Sequence, residues 1–116
     1  MLLFKKQFLV AIRQGEKTQT IRLWKHRRMK AGQRSYIPGV GHIRLLAVEE
    51  VELDRLTDDD AVPDGFATAE ELRAEIARLY PERLAAGYRA YRIRFERTAP
   101  NAGDGDRPAT DALAGK

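Results

Sequence analysis

The sequence contains no cysteine, which excludes a disulfide scaffold, a thiolate nucleophile and a cysteine zinc site. Its two histidines, His26 and His42, fall short of the usual zinc cluster, so no metal is expected. Long apolar runs are also missing: nothing approaches the roughly 18 to 25 residues needed to cross a bilayer. The opening MLLFKKQFLVAIRQG lacks the charged leader, long apolar stretch and small-residue cleavage site of a signal peptide. A cytoplasmic protein without a membrane partner is the expectation.

Acid is scarce in one part of the chain and concentrated in another. Residues 1 to 48 hold eleven Lys and Arg against a single acid, Glu16, whereas residues 49 to 82 hold three Arg against twelve acids. Residues 83 to 116 are again basic, with seven cations and four acids. Two readings follow: a positive face for phosphate-bearing partners, or two oppositely charged segments that satisfy each other within one fold. The 116 residues, 43% apolar and 33% charged, suit one globular domain with a real core.

Along the chain, FKKQFLVAIRQ places Phe4, Phe8, Leu9 and Ile12 at helical spacing, with Gly15 placed to stop the helix. The period then changes: Thr18, Thr20 and Arg22 alternate with Gln19 and Ile21, as in a strand. RSYI and HIRLLAVEEVEL read as further strands around the turn PGVG. TDDDAVPDGFAT reads as a capped turn followed by a loop around Pro63, Asp64 and Gly65. After Thr68 the spacing of Leu72, Ile76, Leu79 and Tyr80 predicts a helix ended by Pro81. Alternation in YRAYRIRFE predicts a last strand with Tyr91, Ile93 and Phe95 on one face. The sum is an α+β domain over residues 1 to 97, a small, mixed, curved sheet or partly closed barrel with two main helices. Residues 98 to 116, poor in core-forming side chains, are expected to be a disordered tail.

Chemistry concentrates in GEKTQTIR, residues 15 to 22. One glycine cannot build the multi-glycine cradle of a phosphate loop, which excludes that reading. Lys17 and Arg22 are cationic donors, and Thr18 and Thr20 offer hydroxyls, so the segment is either a surface turn running into a strand or a reactive centre. Glu71, three residues after Thr68, completes a helix capping-box pattern, which by itself explains its presence. Asp58, Asp59 and Asp60 read as a solvated turn, since they lack the spacing of a calcium loop. Trp24, Lys25, Arg27, Arg28, Lys30, Arg34 and Tyr36 mix cations with aromatics able to stack on a base; Trp24 and Tyr36 equally suit a core.

The segments FKKQFLVAIRQGEKTQTIR, KAGQR, DGF, TAEELRAEIARLYP and YRIRF together resemble the ASCH family, whose fold is similar to the PUA RNA-binding domain. The resemblance spans about residues 4 to 96 and is strongest at G-x-K-T-x-T-I-R. Gln33 is a departure, standing where the family often has an acid. Within the family the sequence is similar to small bacterial amidohydrolases acting on N4-acetylcytidine. That resemblance implies a catalytic group of Lys17, Thr20 and Glu71, with no cofactor and with a modified nucleoside as small-molecule substrate. It further implies substrate-binding parts for Thr18, Arg22, Trp24 and Phe66. The alternatives are an RNA-binding ASCH module, with or without ribonuclease activity, and a regulatory interaction domain. A free-nucleoside enzyme needs one compact pocket, whereas an RNA binder requires a basic groove continuing beyond it.

Overall fold

The computed structural model describes residues 1–98. Four strands, β1 (Gln19–Trp24), β2 (Arg34–Ile37), β3 (Gly41–Val51) and β4 (Arg89–Arg97), form one sheet in the order β1-β4-β3-β2. Every pairing in it is antiparallel, in contrast to the mixed sheet expected. The sheet curls into a half-barrel. A register shift between Leu45 and Ala47 leaves Leu46 exposed as an extra residue on β3, the kind of bulge that bends a strand. The expected tail lies outside the described residues, apart from its first member, Thr98.

The helices are α1 (Leu9–Arg13), α2 (Asp58–Ala61), α3 (Ala69–Leu79) and α4 (Pro81–Ala85). Only α3 is substantial. The predicted helix over residues 4 to 14 is a 3-10 turn, Lys6–Phe8, running into the five-residue α1, because Lys5 is still extended. Pro81 does end α3, but it also opens α4 as that helix's first residue, a position where its missing N–H leaves no bond unmade. Thr57 and Asp60 form a capping box on α2, so the aspartate run is a helix start. No helix of the described residues is long and apolar enough to cross a membrane.

Two apolar clusters stabilise the sheet from opposite faces. Tyr91, Ile93 and Phe95 of β4 join Ile43, Leu45 and Val48 of β3, with Leu2, Ile12 and Ile37, in one cluster. Ile21 and Leu23 of β1 join Ala90, Leu56, Ala61 and the α3 residues Ala69, Leu72 and Ile76 on the other face. Side chains alternate along a strand, so β1 and β4 each contribute to both clusters, and their polar residues fall in fixed places between them. Arg92 of β4 is held by Glu49 at 2.8 Å and Asp60 at 2.9 Å, while Arg89 pairs with Glu50 at 3.6 Å. The acidic segment is thus partly neutralised within the fold. Among the described residues, Lys17 alone of the eleven N-terminal cations pairs with a carboxylate.

Candidate functional site

Among the described residues β1 is an edge strand, hydrogen-bonded only to β4 within the sheet. Thr20, Ile21 and Arg22 are consecutive and point alternately to the two faces, yet all three line one cavity. That cavity therefore sits across the outer edge of β1. Its walls are the N-terminal segment with Leu3, Phe4 and Phe8, the α3 residues Leu72, Glu75, Ile76 and Leu79, and Phe66. Its volume is about 70 Å³.

Lys17 enters from the turn that precedes β1. The turn is fixed by Glu16 and Lys17 amides donating to the Ala11 carbonyl and by the Thr18 amide donating to Pro63 at 2.8 Å. The last of these bonds docks the 3-10 turn Val62–Asp64 against the start of β1. Gly65, at a φ of 97°, lets the chain leave that turn in a left-handed conformation that a side chain would resist. As a result the Lys17 ammonium donates to Asp64 twice, to its carbonyl at 2.5 Å and to its Oδ1 at 2.7 Å. Both side chains are almost wholly buried. Gln19, 1% exposed, donates from Nε2 to Asp64 Oδ2 at 3.1 Å and to the Asp60 carbonyl at 2.9 Å. The Asp64 carboxylate is thereby held at both oxygens.

Burial lowers the Lys17 pKa from the ordinary 10.5; the Asp64 charge and hydrogen bond oppose that fall, and the nearby Arg22 charge adds to it. The aromatic surroundings explain the dryness: the ammonium lies 5.1 Å from the Phe8 ring centre, 5.9 Å from that of Phe4 and 6.0 Å from that of Phe66. Arg22 lies over Phe4 at 4.7 Å and donates from Nε to Thr20 Oγ1 at 3.2 Å and from Nη2 to the Leu3 carbonyl at 2.6 Å. Its pKa too is lowered by burial. The hydroxyl of Thr20 thus accepts from a cation and retains its own proton to give.

Of the residues singled out in the sequence, Lys17, Thr20, Arg22 and Phe66 line this cavity. Glu71 does not. It is exposed in the first turn of α3, where its amide donates to Thr68 Oγ1 at 3.1 Å and its carboxylate bends back to accept from Ala67 at 3.3 Å. The acid beside Lys17 is Asp64, and Glu71 is corrected to a helix-start residue. Glu75, one turn further along, does reach the cavity, but its two oxygens accept from Arg78 at 3.0 and 2.7 Å. Thr18 is exposed and contributes its backbone to the turn, outside the lining. Trp24 packs on Tyr91, ring centres 5.3 Å apart, also outside it. Lys25, Arg27, Arg28, Lys30 and Arg34 are all exposed, with Arg27 donating to the Val48 carbonyl and lying over Tyr91. Asp64 and Gln19 were missed because a Pro-Asp-Gly run reads as a turn and an interior glutamine as a sheet residue. The one signal for Asp64 was an acid placed on a rigid, glycine-ended turn.

Fold and site together define a small α+β half-barrel domain with a buried lysine–aspartate pair at a sheet edge. No family model and no curated protein matches the sequence. Solved structures do. Protein EF3133 from Enterococcus faecalis V583, a DUF984 family-model protein, is similar at a TM-score of 0.66 and 22% identity over 79% of this chain and 67% of that one. Hypothetical protein PH0355 gives 0.67 and 18% over 81% and 94%. An ASCH domain from Lactobacillus crispatus JV V101 gives 0.60 and 16% over 76% and 68%. The chain has the ASCH-like, PUA-like fold.

Proposed function

We propose that this protein is a metal-independent amide hydrolase acting on N4-acylated cytosine nucleosides, with N4-acetylcytidine the leading substrate. The observation that carries the reading is the cluster itself: a buried lysine of lowered pKa, fixed by Asp64, in one cavity with a threonine hydroxyl that already accepts from Arg22. A threonine attacks only when a base takes its proton, and a lysine whose pKa is lowered by burial is the base this cavity offers. Two donors on Lys17 are committed to Asp64, which leaves its remaining position, a lone pair when neutral, for the reaction.

Lys17 takes the Thr20 proton as Oγ1 bonds to the acyl carbon, giving a tetrahedral oxyanion. Arg22 supplies positive charge beside that centre. As the C–N bond breaks, the N4 nitrogen takes the proton from Lys17 and leaves as the amine of cytidine, with the acyl group on Thr20. Water then gives a proton to Lys17 and its hydroxide to the acyl carbon. The carboxylic acid departs and Thr20 recovers its proton. Asp64 holds the lysine in place and balances its charge, and Gln19 holds Asp64. The Phe8 and Phe66 rings supply an apolar wall for the pyrimidine.

The test is hydrolysis of N4-acetylcytidine by purified protein and by K17A, T20A, D64N and E71A. Loss of a base or nucleophile is expected to lower kcat roughly 100-fold or more, with D64N in the same class and E71A within about twofold of wild type. Absence of turnover by folded wild type across a range of pH sinks the reaction. Activity kept by T20A removes threonine as nucleophile, and activity kept by D64N but lost in E71A reverses the choice of acid.

A further inference from the structure

The side chains of the cavity are sorted by depth. Lys17, Thr20 and Asp64 are each no more than 6% exposed, whereas Leu3 and Lys5 of the same lining are open to water, which makes them its mouth. Glu75 belongs with the mouth: its side chain is 19% exposed, and the Lys5 charge acts on it.

Its placement is not that of an ordinary surface pair. On α3 it shares the face of Leu72, Ile76 and Leu79, where an apolar side chain would continue the stripe. In a helix-surface ion pair both partners stay in water. Here Arg78 is 63% exposed, while the carboxylate that it holds is drawn against the cavity wall. The Arg78 hydrogen bonds keep the Glu75 carboxyl below its usual range, against the opposing cost of burial, so it is charged at neutral pH.

A carboxylate offers about four lone-pair positions and no donor. Arg78 takes one on each oxygen, and no other side chain among the described residues takes a second. What remains can meet only a donor. In an N4-acylated cytosine the ring edge offers O2 and N3, both acceptors, and the single N4 hydrogen lies beside the acyl carbon that Thr20 attacks. The remaining donors are the hydroxyls of the sugar. The cavity, about 70 Å³, is far smaller than the roughly 300 Å³ at which a pocket encloses a drug-sized ligand, so with the acyl end against Thr20 the sugar is left at the mouth.

We propose that Glu75 is a specificity residue that reads the sugar: its carboxylate accepts from the vicinal hydroxyls of a ribose at the cavity mouth, so that the riboside is taken in preference to its deoxy forms and to the free acylated base. This deepens the hydrolase reading and rests on it for the position of the acyl end. An acid that accepts from ribose hydroxyls is the device used in dinucleotide-binding folds. Arg78 acts through Glu75 as a positioning residue, fixing the carboxylate from outside.

The test compares kcat/KM for N4-acetylcytidine, its 2′-deoxy and 2′,3′-dideoxy forms and N4-acetylcytosine in wild type, E75A and E75Q, with melting temperatures to show that the variants fold. Wild type is expected to prefer the riboside to the dideoxyriboside by roughly tenfold or more, the effect of a hydrogen bond to a charged group. E75A is expected to bring that ratio near one, and E75Q, which keeps one oxygen as acceptor, to stand between. A carboxylate that merely pairs with Arg78 would leave the ratio where it was. Equal values for riboside and dideoxyriboside in wild type, or a preference that survives in E75A, overturn the assignment and leave the hydrolase standing. If no acylated substrate is turned over, calorimetric binding of cytidine against 2′,3′-dideoxycytidine decides. Cytidine bound more tightly, with the difference lost in E75A, upholds the sugar site and removes the hydrolase alone; equal binding, or none, overturns both.

Discussion

Lys17 stands 2.7 Å from a carboxylate and still has a lowered pKa, because removing the ammonium from water outweighs what one buried partner returns. The sign of the pH dependence follows. For the proposed reaction, a general base whose pKa lies below the ordinary 10.5 predicts that kcat/KM rises with pH along a limb that ends short of the value for a free lysine. Rates measured from pH 5 to 10 are expected to show that limb, and K17R, permanently charged, is expected to lack it. On the proposed reaction Gln19 is expected to tune the same limb through its bond to Asp64. In Q19L the Asp64 Oδ2 bond is lost, and the limb is expected to shift while KM holds, with kcat reduced roughly tenfold. An unmoved limb assigns Gln19 to packing alone. At this scale the sequence was half legible. Lys17 and Thr20 share one short motif, but their acid is 47 residues away and is joined to the lysine only by the docking of a turn. Glu71 misled because its local role, at a helix start, is also what its spacing from Thr68 predicts.

The elements show where periodicity suffices and where it does not. β4 and α3 were readable, since each has one face of regular apolar spacing that meets one cluster. α1 was overestimated, because Phe4 and Phe8 reach the site from an extended segment and a 3-10 turn while matching a helical spacing. α4 was unforeseen, as a proline marks the end of one helix and the start of another equally well. The strand order β1-β4-β3-β2 has no local signature at all, being set by which faces find partners across the core. The α3 cap offers a test that separates stability from chemistry. T68A removes the hydroxyl that accepts from Glu71 N, and urea unfolding is expected to show a loss of about 1 kcal/mol, with activity per folded molecule unchanged. A large activity loss in that variant would tie the helix start to the cavity.

In the whole molecule, the order of the strands decides when the site exists. β1 carries the candidate site residue Thr20, just after Lys17, early in the chain, but among the described residues its only strand partner is β4, with Gln19 opposite Arg94 and Trp24 opposite Arg89. Asp64, too, arrives long after Lys17. A chain emerging residue by residue therefore displays a lysine and threonine that are solvated, separate and unreactive until the last strand closes the sheet. The proposed centre is assembled last, since the burial that lowers the Lys17 pKa exists only in the closed fold. The fold acts as its own clock: the buried lysine–aspartate pair, and with it any chemistry proposed there, exists only when folding is complete.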